Sequence, residues 1–400
     1  MTTRRTFLKA APSLLTLGAM SPRFWLQAAE SSGSNSDGRI LVVVQLSGGN
    51  DGLNTVIPFD RDEYRKARPT LAVPKDDVLK MEDHWGFHPE MTGFADLYQN
   101  GQLSIVQGVG YPNPNRSHFE SMDIWHSCTR QKNRRSEGWL GRCAAECLSA
   151  ADVPAIHLGQ EQQPLALSST RLAVPSIKSL DQFCLQGAPT EKLAMAVESP
   201  PAVENGLLSF VQSSTSTALR VSERIQQQAK SYQSTVEYPD SQLAQKLKAI
   251  AGLVHADLGT RIYYVQLDGF DTHSQQAGAH SGLLRQWTGA VAAFLKDLES
   301  HQLDDRVTVM SFSEFGRRLE ENASEGTDHG AAAPLFLAGK QLNSGLIGEL
   351  PSLTDLDQGD LKFQIDFRQV YASLLEDWLG CDSARILGKD YKKIPVFHKT

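Results

Sequence analysis

The sequence is short of cysteine and of positive charge, and it has no long apolar run. Its 400 residues include 5 cysteines, and 46 acidic residues outnumber 39 basic ones. Because the cysteines are odd in number and scattered along the chain, they exclude the disulfide framework of a small secreted scaffold. The excess of acidic over basic residues argues against nucleic acid as the main partner. Because no stretch approaches about 18 uninterrupted apolar residues, we expect no transmembrane helix.

The amino-acid composition is typical of a globular protein. Apolar residues make up 40% and charged residues 21% of the sequence, which excludes collagen, coiled coil and wholesale disorder. The length allows one large α/β domain or two ordinary ones. No second Cys/His pair at zinc spacing accompanies Cys143 and Cys147, although these two are four residues apart. We therefore expect buried thiols or a single disulfide among Cys128, Cys143, Cys147, Cys184 and Cys381.

The N-terminus has the pattern of an export signal. Arg4 and Arg5 precede Phe-Leu-Lys and a weakly apolar run over residues 10–20. Paired arginines ahead of a short apolar region are typical of a twin-arginine signal. The sequence therefore predicts a signal peptide over residues 1–29, a linker over residues 30–38, and export by the twin-arginine translocase to the periplasm or the extracellular space.

The paired arginines provide a direct test of export. When Arg4→Lys and Arg5→Lys are combined, we expect the precursor to stay in the cytoplasm with its fold intact, because the pair marks a twin-arginine signal. Cell fractionation and immunoblotting measure the distribution. Arg23→Lys, which changes a basic residue outside the pair, is the matched control. Unchanged export of the double variant would reject the route.

Short apolar runs alternate with helix-period stretches over residues 39–400. The first run, Ile40–Leu46, is almost continuously apolar, as in a parallel strand buried on both faces. Comparable strand and helix segments follow at Leu103–Val109, Ile262–Leu267, Leu283–Leu298, Val307–Phe312, Leu335–Ala338 and Val370–Leu379. This alternation predicts one α/β domain with a doubly wound, mostly parallel sheet flanked by helices. The Gln- and Ser-rich residues 131–245 predict a mainly helical insertion into it.

Acidic residues and histidines follow three of the predicted strands, where open parallel sheets bind ligands. Asp51 follows the first strand, Asp271 and His273 follow the third, and Asp328 and His329 lie beyond the fourth. Carboxylate and imidazole groups are common ligands of divalent metals. Each position alone could belong to an ordinary hydrogen-bonded loop. Their repetition at strand ends of one sheet favours a metal site.

Five motifs carry a resemblance to a known family. They are Leu46–Pro58, Asn115–Trp125, Gly-Phe-Asp-Thr-His (Gly269–His273), Ser-Glu-Phe-Gly-Arg (Ser313–Arg317) and Thr-Asp-His-Gly (Thr327–Gly330). In this order, over nearly the whole mature chain, they resemble the DUF1501 family, a bacterial family of unknown function that is often exported by the twin-arginine route. The family is grouped with the alkaline phosphatase superfamily. The resemblance implies that superfamily's fold and site design, but no substrate.

The resemblance also implies metal ligands. By position, the superfamily's first Asp ligand falls on Asp51. Its later Asp and His ligands fall on Asp271 and His273, and its adjacent Asp-His pair falls on Asp328 and His329. One or two divalent ions are implied, with Zn, Mn, Mg and Ca all open. The last His ligand has no clear counterpart, since His398 lies near the C-terminus and Asp366 is of another type. A single-metal site therefore stays open.

The superfamily's nucleophile lies at a helix N-terminus, which by position falls on Ser117. A helix start supplies backbone N–H groups and a positive dipole end. Alternatively, Ser117 only caps the helix, and His118 is then the functional residue. Glu314 is an extra carboxylate at a strand end. Arg116 and Arg317 either hold an anionic substrate group or form structural ion pairs.

Two functions remain open at this point. The first is an exported metal-dependent hydrolase that attacks a small anionic phosphate ester, or a related ester, through Ser117. Sulfatase chemistry is disfavoured, because Ser117 lacks the Pro and Arg of a Cys/Ser-x-Pro-x-Arg motif. The alternative is a non-catalytic exported protein that keeps the fold for binding or assembly. Bound metal together with turnover would distinguish the first from the second.

Overall fold

The computed structural model describes residues 38–149, 151, 153–178 and 232–398. The predicted signal peptide lies outside the described residues, as does the predicted linker except for Gly38. The central part of the predicted insertion, residues 179–231, also lies outside them.

The described residues form sixteen β-strands. They are β1 (Ile40–Leu46), β2 (Val56–Ile57), β3 (Leu79–Glu82), β4 (Trp85–Phe87), β5 (Leu103–Gly110), β6 (Ala155–Leu158), β7 (Ser176–Ile177), β8 (Ile262–Leu267), β9 (Val307–Phe312), β10 (Arg317–Glu321), β11 (Thr327–His329), β12 (Ala333–Ala338), β13 (Gly345–Ile347), β14 (Leu356–Asp357), β15 (Asp360–Leu361) and β16 (Ile365–Asp366). Nine of them build one sheet in the order β13-β5-β12-β9-β1-β8-β6-β7, with β16 also paired to β5. Within this sheet only β12 is antiparallel to its neighbours, β5 and β9.

Strand β1 lies at the centre of this sheet. Leu41 pairs with Ile262 of β8 on one side and with Thr308 of β9 on the other, both in parallel. All seven residues of β1 are buried. Val42 packs into the hydrophobic cluster on one face and Val43 into the cluster on the other. Burial on both faces explains the continuous apolar run, and the predicted fold class is confirmed.

Helices cover both faces of the sheet. The described α-helices are α1 (Asp62–Ala67), α2 (Thr92–Gln99), α3 (His118–Ser127), α4 (Trp139–Glu146), α5 (Gln242–His255), α6 (Gln276–Ser300), α7 (Phe367–Ser373) and α8 (Ser383–Leu387). A π-helix, Leu374–Leu379, continues α7. Leu247 of α5 and Trp287 of α6 pack on one face, whereas Trp125 of α3 and Tyr371 of α7 pack on the other. Single 3₁₀ turns occur at Gly52–Asn54, Lys132–Arg134, Leu165–Leu167 and Asp304–Arg306.

The spacing of the apolar residues in α6 explains why this segment is helical. Its buried apolar stripe includes Leu284, Trp287, Val291, Phe294 and Leu298, at the intervals of three and four that place side chains on one helix face. The predicted segment Leu283–Leu298 lies inside this helix. The helix begins earlier, at Gln276, because its first two turns contain few apolar residues that could reveal the periodicity.

Two strands of the sheet come from the segment that the sequence assigns to a mainly helical insertion. Strand β6 pairs in parallel with β8, and β7 pairs in parallel with β6. With four and two residues, both strands are too short to show a periodic apolar pattern. Among the helices that the structure describes, none has the length and apolarity needed to cross a membrane.

The ends of the central strands determine where the candidate site forms. Leu46 of β1 pairs with Leu267 of β8, and Gln45 of β1 pairs with Phe312 of β9. The loops after these three parallel strands therefore leave the sheet at the same edge. Next to them, β10 and β11 form a two-stranded sheet in which Arg317 pairs with His329.

Candidate metal centre

Three histidines converge on one carboxylate at this edge. Asp271 Oδ1 lies 3.0 Å from His329 Nε2 and 3.1 Å from His273 Nε2. These two ring nitrogens are 2.9 Å apart. Asp271 Oδ2 lies 3.3 Å from His118 Nε2. We call Asp271 and these three residues the histidine cluster.

The other ring nitrogen of each histidine faces a hydrogen-bond acceptor. These acceptors are Glu314 Oε1 at 2.8 Å from His118 Nδ1, the Arg116 carbonyl oxygen at 2.7 Å from His329 Nδ1, and Asp328 Oδ1 at 3.4 Å from His273 Nδ1. An acceptor at Nδ1 places the proton there, so each neutral ring directs a lone pair at Nε2 into the cluster. His118 Nε2 is buried and has no hydrogen-bond partner among the described residues.

This arrangement fits a divalent cation. Imidazole lone pairs and a carboxylate that point at one another repel unless a cation lies among them. Metal-bound histidines typically have a hydrogen-bond acceptor at the second ring nitrogen, as the histidines of the cluster do. A set of nitrogen and carboxylate ligands suits zinc and manganese. The side chains of Asp271 and His273 are 47% and 44% exposed, so the cluster is open to solvent on one side.

The charges around Asp271 favour its ionised form. Burial alone would raise the pKa of this carboxyl group, but the neighbouring His329 and the Arg317 guanidinium outweigh burial and lower the pKa. The hydrogen bond with Glu314 raises the pKa of His118. Asp271 is therefore a carboxylate at neutral pH, which is the form that binds a metal.

Glu314 connects His118 to the turn after β1. Its side chain is 1% exposed, and Oε1 also accepts a hydrogen bond from the Gly48 N–H at 2.9 Å. Gly48 has a φ of 118°, and a Cβ at this position would collide with the Asp271 backbone. Glycine here lets the turn after β1 approach the loop that carries Asp271.

The two arginines predicted to bind an anion or to form ion pairs are both in ion pairs. Arg317 is fully buried and donates to Asp271 Oδ1 at 2.8 Å and to the Thr327 carbonyl at 2.7 Å. Arg116 donates to Asp360 Oδ2 from two of its nitrogens, at 2.7 and 2.9 Å. Arg317 thus fixes the position of Asp271, and the carbonyl of Arg116 fixes the ring of His329.

Asp51 lies in a different polar network. Arg68 Nη1 donates to Asp51 Oδ2 at 2.6 Å, and Gln276 Nε2 donates to the same oxygen at 2.5 Å. Burial would raise the pKa of Asp51, yet the Arg68 guanidinium outweighs it and lowers the pKa. The carboxylate is thus held by Arg68 and Gln276, and a metal-ligand role for Asp51 stays a prediction.

The buried pair of Asp51 and Arg68 predicts a large stability effect. Arg68→Met should lower the free energy of unfolding by about 3–5 kcal/mol, because it leaves a buried carboxylate unpaired. Arg65→Met, at a partly exposed arginine paired with Asp62, should cost less than about 1 kcal/mol of unfolding free energy.

Because folding lowers the pKa of Asp51, the ion pair of Asp51 and Arg68 stabilises the wild type above pH ~4 and loses this effect as the pH falls further. Urea denaturation at pH 7 and pH 3 measures both effects, and equal midpoints for the two variants at pH 7 would contradict the prediction.

Ser117 precedes the first residue of α3 and is exposed. Within the described residues its hydroxyl makes no hydrogen bond that caps the helix. Its backbone N–H donates to Asn115 Oδ1 at 2.8 Å. The hydroxyl is therefore uncommitted next to His118, and the nucleophile role stays a prediction.

A cavity of about 470 Å³ opens beside the cluster, and its lining includes His118 and Glu314. Gln45 and Gln266, which pair with each other at the ends of β1 and β8, also line it. Phe119, with 88% of its surface exposed, contributes to the lining as well. The two glutamines are not among the residues predicted from the sequence, although polar residues at matching positions near the ends of apolar strands are a signal that could have identified them.

Comparison with solved structures gives remote similarities. Ps i-CgsB is 9% identical, with a TM-score of 0.42 over 89% of this chain and 75% of that one. The C-terminal periplasmic domain of EcEptC from Escherichia coli is 11% identical, with a TM-score of 0.41 over 89% and 88%. BT1596, a 2-O GAG sulfatase, is 9% identical, with a TM-score of 0.38 over 89% and 75%. Values this low transfer neither activity nor ligand to this chain.

Comparison of sequences identifies the family of the chain. No curated protein matches the chain. The family described as "Protein of unknown function (DUF1501)" matches residues 39–387, which include every member of the histidine cluster and all nine strands of the central sheet. The chain belongs to the DUF1501 family.

Proposed function

We propose that this protein is an exported, metal-dependent hydrolase of a phosphate ester or a related ester. The observation that carries the proposal is the convergence of three histidine Nε2 atoms on Asp271 beside an open cavity. A divalent ion held by His118, Asp271, His273 and His329 would act as a Lewis acid on the ester oxygens. The paired arginines of the N-terminus support export.

The surrounding residues position these ligands. Glu314 orients His118, and Asp328 orients His273. Arg317, which donates to Asp271, keeps that carboxylate directed into the cluster. Because the ligands come from three separate segments of the chain, these contacts limit the movement of each segment relative to the others.

Ser117 is the proposed nucleophile. Its hydroxyl gives its proton to solvent as its oxygen forms the new bond to phosphorus, and the bond to the leaving ester oxygen, which takes up a proton from solvent, breaks in line. Water then attacks the phosphorus, which releases phosphate and restores the serine hydroxyl. The exposed position of Ser117 at the N-terminus of α3 supports this role, since helix N-terminal N–H groups stabilise negative charge. The cavity lined by Gln45 and Gln266 would accept the organic part of the ester.

Metal analysis combined with an ester screen tests the proposal. Protein purified without chelators is analysed by inductively coupled plasma mass spectrometry and then assayed on phosphomonoesters, phosphodiesters and sulfate esters. We expect one or two divalent ions per chain, with turnover that a chelator abolishes and added metal restores. Bound metal without turnover across the panel would favour a binding or assembly protein. Protein without metal affinity would reject the metal centre.

A further inference from the structure

Two cysteines meet outside the histidine cluster, and a third lies near them. Cys143 lies in α4, Cys147 follows the last residue of that helix, and Cys381 follows the π-helix near the C-terminus. The sulfur atoms of Cys143 and Cys381 are 3.6 Å apart. Cys147 is four residues after Cys143, which places the two thiols about one helical turn apart. The chain thus brings together thiols that are far apart in sequence.

The three thiols have different surroundings. Cys143 and Cys381 are buried, whereas Cys147 is exposed. The nearby Cys143 and Cys381 thiols lower the pKa of Cys147, and the Arg385 guanidinium acts in the same direction. The nearby Cys147 raises the pKa of Cys143. An exposed thiol with a lowered pKa therefore lies near two buried thiols.

We propose that Cys143 and Cys381 form a disulfide, and that Cys147 is the thiol that first reacts with an external disulfide. The oxidant is a low-molecular-weight disulfide such as glutathione disulfide. The proposal stands on the 3.6 Å separation of the Cys143 and Cys381 sulfur atoms and on the exposure of Cys147, and it is independent of the proposed hydrolase activity.

The reaction is a sequence of thiol–disulfide exchanges. The Cys147 thiolate attacks glutathione disulfide, forms a mixed disulfide and releases one glutathione thiolate. The Cys381 sulfur attacks Cys147 and releases the second glutathione, and the Cys143 sulfur then attacks Cys381 and releases Cys147. In total, two protein thiols are oxidised and one glutathione disulfide is reduced to two glutathiones, which take up the two protons. A thiolate of low pKa such as Cys147 is a good leaving group in the last step.

The disulfide would connect the C-terminal segment to α4. The two cysteines are 238 residues apart, so the bond restricts a long loop of the unfolded chain. Oxidised protein should therefore unfold about 5 °C higher than reduced protein. Three thiols could instead bind a thiophilic metal such as zinc, and the experiment separates this outcome from the disulfide.

The experiment follows oxidation of the full chain. Reduced, metal-free protein is incubated with glutathione disulfide, quenched with an alkylating reagent at successive times, and mapped by mass spectrometry. We expect a linked Cys143–Cys381 peptide, free Cys147, and a transient glutathione adduct on Cys147. A final bond between any other pair, or persistence of three free thiols, would overturn the proposal. Zinc that protects the three thiols from alkylation in protein as purified would also overturn it.

Three variants identify the roles of the thiols. Cys147→Ser should form the same disulfide at least about tenfold more slowly, because the surface thiolate is lost. Cys381→Ser should stop at the Cys147 glutathione adduct or form a bond between Cys143 and Cys147, and circular dichroism checks that it folds. Cys128→Ala, at a buried thiol elsewhere in the core, is the matched control and should oxidise like the wild type. Wild-type rates in Cys147→Ser would reject its role as the first thiol to react.

Discussion

Replacing Asp271 with asparagine is expected to abolish metal binding and hydrolysis together. Asp271 is the residue on which His118, His273 and His329 converge. The amide has no negative charge and presents N–H donors as well as one acceptor oxygen, so it cannot replace the carboxylate between three imidazoles. We expect metal affinity to fall by at least about 100-fold and turnover to fall with it.

Metal content and competition titration with a chromophoric chelator measure this effect. Asp268→Asn is the matched control, because Asp268 is an exposed carboxylate in the same loop whose Oδ1 accepts a hydrogen bond from Gln266. Asp328→Ala should have an intermediate effect of about 10–100-fold, since Asp328 contacts His273 through the ring nitrogen directed away from the cluster. Wild-type metal content in Asp271→Asn would exclude the cluster as the metal site.

Replacing Ser117 with alanine is expected to lower kcat by about 10³-fold or more while metal content stays unchanged. The loss would be one of covalent catalysis, because the substitution removes the attacking oxygen and leaves the cluster intact. The fold should tolerate the change, since the hydroxyl makes no capping hydrogen bond to α3. Single-turnover kinetics on the first ester found in the screen measure the chemical step directly.

Ser241→Ala is the matched control for Ser117→Ala. Ser241 is also a helix N-cap, and its hydroxyl accepts a hydrogen bond from the Ala244 N–H at 3.2 Å. Its loss should cost about 1 kcal/mol of stability and leave kcat unchanged. Full activity in Ser117→Ala would assign the attack to His118 or to water.

Much of the fold could be predicted from the sequence because its central strands are buried on both faces. The predicted ranges Ile40–Leu46, Ile262–Leu267 and Val307–Phe312 agree with β1, β8 and β9 residue for residue. The direction of each strand and the order of the strands in the sheet could not be predicted in the same way. Strand β12 runs antiparallel between two strands that share the opposite direction, and its apolar residues look the same in either direction.

The site could be predicted in part. The motifs place Asp271, His273 and His329 after strands that the sequence shows clearly, and these residues meet. The partners of their second ring nitrogens could not be foreseen, because one of them is a backbone carbonyl, that of Arg116. A lone carboxylate such as Asp51 does not show from sequence whether it faces a metal or a buried arginine, since either partner would ionise it.

The central position of β1 has a consequence for synthesis of the chain. Among the strands of the sheet, β1 is synthesised first. Because Leu41 pairs with Ile262 and Thr308, both edges of β1 stay unpaired until most of the chain has left the ribosome. An almost fully apolar strand with two unpaired edges can pair with other chains. The nascent protein should therefore depend on chaperones for most of its translation, and fragments that end before β8 should aggregate when they are expressed alone.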